Sequence, residues 1–155
     1  MFNPTYAAPE YQELIHQKWK NFINYVDDDY SMIRPEVFAS WFRSREAGVN
    51  PHKLINTLLS PEELSVKLNL NADLLSICRP YMERMYNIVK GSGAYILLSD
   101  RDGYILDVIG DPDIVYQGKS YSLLIAGACR SESTAGTNAV GTTLYLKTPI
   151  QFWGE

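Results

Sequence analysis

The chain has 155 residues, 46% of them hydrophobic and 21% charged, and carries a formal net charge of −4. That size and balance fit one folded domain able to bury a core without disulfide or metal staples. They argue against a basic surface of the kind that grips a nucleic-acid duplex.

The rare reactive residues are as limiting. Cys78 and Cys129 are far apart, as are His16 and His52, so neither a disulfide framework nor a zinc site is expected. A reducing cytoplasm is the expected setting. The start, Met1-Phe2-Asn3-Pro4-Thr5, lacks the basic-then-apolar signature of a secretory leader. The longest apolar run, Leu123 to Cys129, is too short to span a bilayer.

The first ninety residues read as helices. Between Tyr11 and Val26 the residues Ile15, Trp19, Phe22 and Val26 step by four, three and four, drawing one apolar stripe. Asp27-Asp28-Asp29 ends that helix in a solvated turn. A second helix begins at Pro35, a residue suited to the first helical position. Its face is Val37, Phe38, Trp41 and Phe42, and Gly48 supplies its stop. Ser60-Pro61-Glu62-Glu63 forms a capping box. Asn71 then caps a longer helix to about Lys90, with the stripe Leu75, Cys78, Met82, Met85 and Val89 and a kink or restart expected at Pro80.

After Gly91-Ser92-Gly93 the period becomes extended. Ala94 to Asp100 reads as a buried strand, Arg101-Asp102-Gly103 as a turn and Tyr104 to Ile109 as a returning strand. Tyr121 to Cys129 suggests an apolar segment or short helix. Gly136 to Leu146 reads as a helix capped by Thr137, and Ile150 to Trp153 as the start of a third strand. Three strands are few, so the chain is expected to be a fragment or a shortened relative with an incomplete sheet.

Several kinds of chemistry can be weighed from residue type and spacing. Gly136-Thr137-Asn138-Ala139-Val140-Gly141-Thr142-Thr143 nearly matches a phosphate-binding loop, but Thr142 stands where the loop needs lysine. A helix start with small packing residues is the better reading, and its free amides could receive a ligand oxygen. Cys129 invites a nucleophile reading that requires a base within reach, and no motif ties His16 or His52 to it. A buried small hydrophobe is preferred for Cys129, and core packing for Cys78. Glu132 and Asp107 form an acid pair only if the fold joins them. Arg34, Arg43 and Arg45, interleaved with Glu36 and Glu46, read as an ordinary exposed face. Eleven tyrosines and three tryptophans can line pockets or bury interfaces.

Two stretches read together carry a resemblance. One is Arg34-Pro35-Glu36-Val37-Phe38-Ala39-Ser40-Trp41-Phe42-Arg43-Ser44, followed by Gly48-Val49-Asn50-Pro51. The other runs from Leu97-Leu98-Ser99-Asp100-Arg101-Asp102-Gly103-Tyr104-Ile105-Leu106 through Ser131-Glu132 and Gly136-Thr137-Asn138-Ala139-Val140-Gly141 to Pro149-Ile150-Gln151. Their order and spacing resemble the amino-terminal region of sigma-54-dependent transcriptional activators of the acetoin-catabolism and dihydroxyacetone-operon regulator type. The resemblance covers about residues 15 to 155.

It implies an α+β fold, a GAF-like antiparallel sheet incomplete at its carboxyl end with a helical leader. Residues 1–90 would be the leader and 91–155 the partial sensor core, together one structural unit. The implied role is a cytoplasmic regulatory sensor that binds a small-molecule effector and controls a downstream ATPase module absent from this chain. The alternative is a ligand-free protein–protein interaction or dimerisation domain. A homodimer is expected, through the Trp19 and Met82 faces in the interaction-domain alternative, with no direct nucleic-acid or membrane contact. No catalytic residue, metal or cofactor is implied. Ligand-lining candidates are Tyr95, Leu97 and Ser99 on the first strand, or its alternate set, with Cys129, Ser131, Glu132 and Asn138 in the roof. Where members of that family carry tryptophan before the Ser-Glu pair, this chain has Arg130, which implies a different pocket.

Overall fold

The computed structural model describes residues 8–53, 57–112 and 124–152. The elements in chain order are α1 (Pro9–Ile23), α2 (Pro35–Glu46), α3 (Pro61–Leu70), α4 (Ala72–Val89), β1 (Tyr95–Ser99), β2 (Ile105–Gly110), α5 (Glu132–Ala135) and α6 (Ala139–Leu146). The α+β class agrees with the sequence. Two compact units divide the chain: residues 1–54 with 132–155, and residues 55–131.

In the first unit, α1 and α2 supply an aromatic core. Tyr11, Ile15, Phe22, Ile33, Val37 and Trp41 are buried, with Trp19, Tyr30, Phe38 and Phe152 packed against them. Phe22 sits edge-on to Phe42 at 5.0 Å, and Tyr30 stacks on Phe38 at 4.8 Å. Val26, the expected end of the α1 stripe, lies beyond the helix and is exposed. The acidic turn that follows does more than face water. Asp28 accepts from Lys18 and Asn21, both at 2.6 Å, and Asp29 accepts from the Ser31 amide at 2.8 Å.

Pro35 opens α2, and Gly48, at φ +75°, ends it as its position suggests. The three arginines are not the plain exposed face expected of them. Arg43 pairs with Glu132. The Arg45 guanidinium lies over Phe22 and Phe42 at 4.2 and 4.6 Å. Arg34 donates to the Gln151 carbonyl at 2.6 Å. Arginine's flat, weakly hydrated head packs on aromatic rings where lysine's would not.

In the second unit, the capping box forms as spelled out by sequence. The Glu63 amide donates to Ser60 Oγ at 3.2 Å, and the Ser60 amide donates to Glu63 Oε2 at 2.8 Å. Asn71 precedes α4, but its side-chain amide donates to the Lys67 carbonyl at 2.9 Å and so closes α3. α4 runs through Pro80 as one helix and packs on both strands. Met82 is its one fully buried side chain. Leu75, Cys78, Tyr86 and Val89 are half-buried, and Met85 is exposed. The Met82 face is thus occupied within its own unit rather than offered to a partner.

β1 and β2 form the expected antiparallel hairpin, with Tyr95 opposite Gly110, Leu97 opposite Val108 and Ser99 opposite Ile105. The register slips between Leu98 and Ser99. What continues the pairing is not the expected strand at Ile150 to Trp153. Residues 150–152 are not in a strand, and Trp153 lies outside the described residues. The segment 127–130 takes that place. The Ile105 amide donates to the Ala128 carbonyl at 2.9 Å, and Gly127 returns a bond to the Ile105 carbonyl at 2.8 Å. On its other side, the Cys129 and Leu59 amides donate to the Thr57 and Gly127 carbonyls. Isolated bridges join Leu58 to Ala128 and Tyr104 to Cys129. The described part of Tyr121 to Cys129 is therefore turn and bridge, not helix.

The turn between the strands is held from two directions. Asp100, buried, accepts from the Asp102 and Tyr104 amides at 3.0 and 2.9 Å and binds Lys67 of α3. Lys67 also reaches Asp102 at 2.7 Å and lies 4.5 Å from the Tyr104 ring centroid. Gly103, at φ +87°, leaves no room for a side chain: a Cβ there would sit 2.8 Å from the Ser131 amide nitrogen.

Gly103→Ala should therefore lower stability by about 1–3 kcal/mol through left-handed backbone and clash together. Urea unfolding would show a lower midpoint, and an unchanged midpoint would refute the close approach. Ser60→Ala should cost about 1 kcal/mol by removing one half of the capping box.

Candidate functional site

The residues singled out by sequence fall into two groups. In the second unit, Tyr95, Leu97 and Ser99 occupy alternate positions of β1, so they share one face of the strand. Tyr95 is exposed, while Leu97 and Ser99 are half-buried. Cys129 is buried, with its Sγ 3.4 Å from Ser131 Oγ. Between them Arg130 is half-buried and gives its amide to the Gly103 carbonyl at 2.7 Å. Burial pulls the Arg130 guanidinium below its ordinary pKa, while nearby Tyr95 and Cys129 act in the opposite direction. The segment 129–131 thus gathers a thiol, a guanidinium and a hydroxyl beside the start of β2, with Tyr95 close enough to act on the Arg130 guanidinium. Its ladder with Gly103–Ile105 fixes the backbone, so these side chains are presented from rigid peptide units.

The two imidazoles weighed as a base for Cys129 both lie against Trp19. His16 stacks on Trp19 at 6.1 Å, and His52 meets the same ring edge-on at 6.5 Å. Asp107, weighed with Glu132 as an acid pair, binds Arg79 at 2.5 Å.

In the first unit, Glu132 is the hub of a buried polar network that sequence reasoning did not foresee. Its Oε1 accepts from Ser40 Oγ and Thr142 Oγ1, both at 2.6 Å, and from Arg43 Nη2 at 2.9 Å. Its Oε2 accepts from Arg43 Nε at 2.6 Å. Ser40 Oγ is also 2.8 Å from Thr137 Oγ1. Tyr145 completes the surroundings, its ring centroid 3.8 Å from the Arg43 guanidinium carbon. Burial, the largest single influence, pushes the Glu132 carboxyl upward, but Arg43, Ser40 and Thr142 together hold it below the ordinary glutamate value. The carboxylate is therefore an anchor with every donor matched, as a buried charge must be.

Asn138 is committed as well. It, not Thr137, caps α6: its Oδ1 accepts from the Gly141 amide at 3.0 Å and its Nδ2 donates to the Gly136 carbonyl at 2.8 Å. Gly136 adopts φ +75° to set up that turn. The near match to a phosphate loop is thus a capped helix start, tied by Thr137 and Thr142 to α2. A signal for the network did exist in the sequence. Ser40 and Arg43 lie three apart on one helix face, and Thr142 follows Glu132 across a glycine-closed turn. Only the fold pairs them.

Among the described residues, no helix is long and apolar enough to cross a membrane. No family model matches the chain, and no solved structure is significantly similar to it. Curated relatives do match. The chain is 32% identical over 140 residues, 90% of its length, to the acetoin dehydrogenase operon transcriptional activator of Bacillus subtilis. It is 39% identical over 98 residues to a signal-transduction and transcriptional-control protein of Clostridium beijerinckii, covering 63% of this chain. It is 33% identical over 111 residues to the acetoin catabolism regulatory protein of Cupriavidus necator, covering 68% of this chain. The match spans 23%, 15% and 16% of those relatives, so the chain corresponds to less than a quarter of each.

Removing the Glu132 charge should be costly. Glu132→Gln leaves Arg43 without its counter-ion and should lower stability at neutral pH by about 2–4 kcal/mol, at the lower side of buried-pair losses because Arg43 keeps some solvent contact. The carboxyl is depressed in the folded state, so its stabilising effect is full above the unfolded glutamate value. It fades as pH falls through that value and below. Urea midpoints of the two proteins should converge as the medium is acidified through that range; a gap independent of pH would refute the charged anchor.

Proposed function

We propose that this homologue of the acetoin-type bacterial transcriptional activators is the regulatory sensor region of such an activator, built on an incomplete GAF-like sheet. The single observation that carries the reading is the match over 90% of the chain to an acetoin operon activator. Its relatives are named as transcriptional activators and control proteins, which supports a regulatory role rather than a catalytic one. In this reading, a cytoplasmic metabolite binds the chain and the bound state restrains or releases an ATPase module of a longer, sigma-54-dependent protein.

The effector contacts are assigned to the second unit. Tyr95, Leu97 and Ser99 offer one strand face, and Cys129, Arg130 and Ser131 stand beside the start of the paired strand β2. A guanidinium and a hydroxyl suit a small carbonyl- or hydroxyl-bearing metabolite, and acetoin and short diols are the first probes because two relatives are named for acetoin. Glu132 and Asn138, whose polar atoms are already engaged, enter the proposal as groups that hold the fold rather than as ligand contacts. A ligand controls such a protein only by binding one of two arrangements better than the other.

Thermal unfolding with a panel of C3 and C4 hydroxyketones, diketones and diols tests this. Saturation at about a hundred times Kd adds about 2.7 kcal/mol, a rise in Tm of several degrees for a chain of this size. Arg130→Ala and Ser131→Ala should each shrink that rise without lowering the ligand-free Tm equally. A Tm unmoved by every member of the panel would reject the sensor reading.

A further inference from the structure

We infer that the carboxyl ends of α1 and α2 form a docking surface for an acidic segment of a partner protein. Arg45 receives a carboxylate there, and Tyr25 and Phe42 receive the apolar side chain next to it. The inference stands apart from the sensor reading, because the surface lies in the first unit and shares no residue with the proposed effector contacts.

The first observation is a residue that folding alone would not select. α1 closes with two backbone bonds: the Tyr25 amide donates to the Phe22 carbonyl at 3.2 Å, and the Val26 amide to the Asn21 carbonyl at 2.9 Å. That closure places one residue in the left-handed conformation, where glycine is usual. Here it is Tyr25, at φ +56°. Among the described residues, Lys147 is the one other non-glycine with a positive φ. A side chain in this conformation costs energy, and packing does not offset it. Tyr25 is 78% exposed, and Val26 beside it is 49% exposed. A tyrosine kept at a strained and solvated position is explained by what it offers at the surface, because tyrosine is favoured at interfaces.

The second observation is the arginine beside it. The Arg45 guanidinium carbon lies 4.2, 4.6 and 5.3 Å from the ring centroids of Phe22, Phe42 and Tyr25. Arg34 and Arg43 have oxygen acceptors. Among the described residues, Arg45 makes no hydrogen bond or ion pair. Its nitrogens are not among the buried atoms that lack a partner, so they face water. Three rings thus hold the flat head in place while its N–H edge stays open, ready for the paired oxygens of a carboxylate. A carboxylate alone would leave Tyr25 and the exposed edge of Phe42 unused. An acidic residue next to a bulky apolar one would use both, with arginine and tyrosine as the anchors.

The charges nearby limit the occupant further. Asp27, Asp28 and Arg45 all act on the Tyr30 hydroxyl, so the acidic turn lies near the arginine. Lys18 matches Asp28, whereas Asp27 has no salt bridge among the described residues. The carboxyl ends of both helices add to the negative field. A dianionic phosphate is repelled by such a field about twice as strongly as a carboxylate. The surface therefore fits a singly charged side chain on an apolar segment.

Magnetic resonance of the whole 155-residue chain, with isotope-labelled arginine, tests this. The probe is the peptide N-acetyl-Leu-Glu-Leu-amide. The Nε–H signal of Arg45, assigned by its loss in Arg45→Lys, should move downfield and saturate. The Leu-Gln-Leu peptide and free acetate should each bind roughly tenfold more weakly, since one lacks the charge and the other the apolar flank. A phosphoserine version should bind no better than the glutamate peptide. Tyr25→Gly should raise Tm by about 2–4 °C as the turn relaxes, and weaken the glutamate peptide severalfold. If Arg45→Lys fails to fold, Tyr25→Gly, at an exposed position, still decides. An Arg45 signal unmoved by the glutamate peptide, or a Tyr25→Gly protein that binds it equally well, would overturn the inference. Tighter binding of the phosphoserine peptide would also overturn it, and would assign the surface to a phosphorylated segment.

Discussion

A single buried carboxylate organises the first unit. Glu132 opens the short helix α5, and four donors from α2 and α6 converge on its two oxygens. No one of those helices is long enough to be independently stable. Their joint requirement to satisfy one charge gives them a fixed arrangement. Arg43 supplies the matching charge in the two-pronged geometry that carboxylates favour. The hydroxyls of Ser40 and Thr142 complete the shell, and Asn138 sets where α6 begins. Much of the Gly-Thr-Asn-Ala-Val-Gly stretch is thereby explained by packing and capping, without invoking a bound phosphate.

The second unit rests on a backbone constraint instead. The extended segment 127–130 is hydrogen-bonded on one side to Gly103–Ile105 and on the other to Thr57–Leu59. That pairing requires the chain at Gly103 to come within contact of Ser131, which is why a residue without Cβ stands there. Lys67 links α3 to the same turn through Asp100 and Asp102. The side chains of 129–131 therefore project from a backbone fixed on two sides. A binding group needs such a platform if its ligand is to select among arrangements.

α4 is apolar on more of its surface than the sheet covers. Its inner stripe packs on the sheet, while Leu74, Ile77, Tyr81, Met85 and Ile88 are exposed.

The sequence by itself determined the elements whose signals are local. The capping box at Ser60 and Glu63, the proline start of α2, its stop at Gly48, and the hairpin with its turn at Gly103 all depend on neighbours within a few residues. The family resemblance was legible in the same way, as residue types at fixed spacing. What only the tertiary structure decided are contacts between residues far apart in the chain. Sequence could not tell that Arg43 would meet Glu132, 89 residues away, instead of facing water. Nor could it tell that segment 127–130 would extend the sheet where Ile150 was expected to. Periodicity drew the stripe Leu75, Cys78, Met82, Met85 and Val89 on α4, yet Met85 is exposed and Tyr86 is half-buried, because which residue the strands cover depends on how the helix rolls onto them. A local pattern specifies a conformation; a buried charge or a sheet edge finds its partner only when the whole chain closes around it.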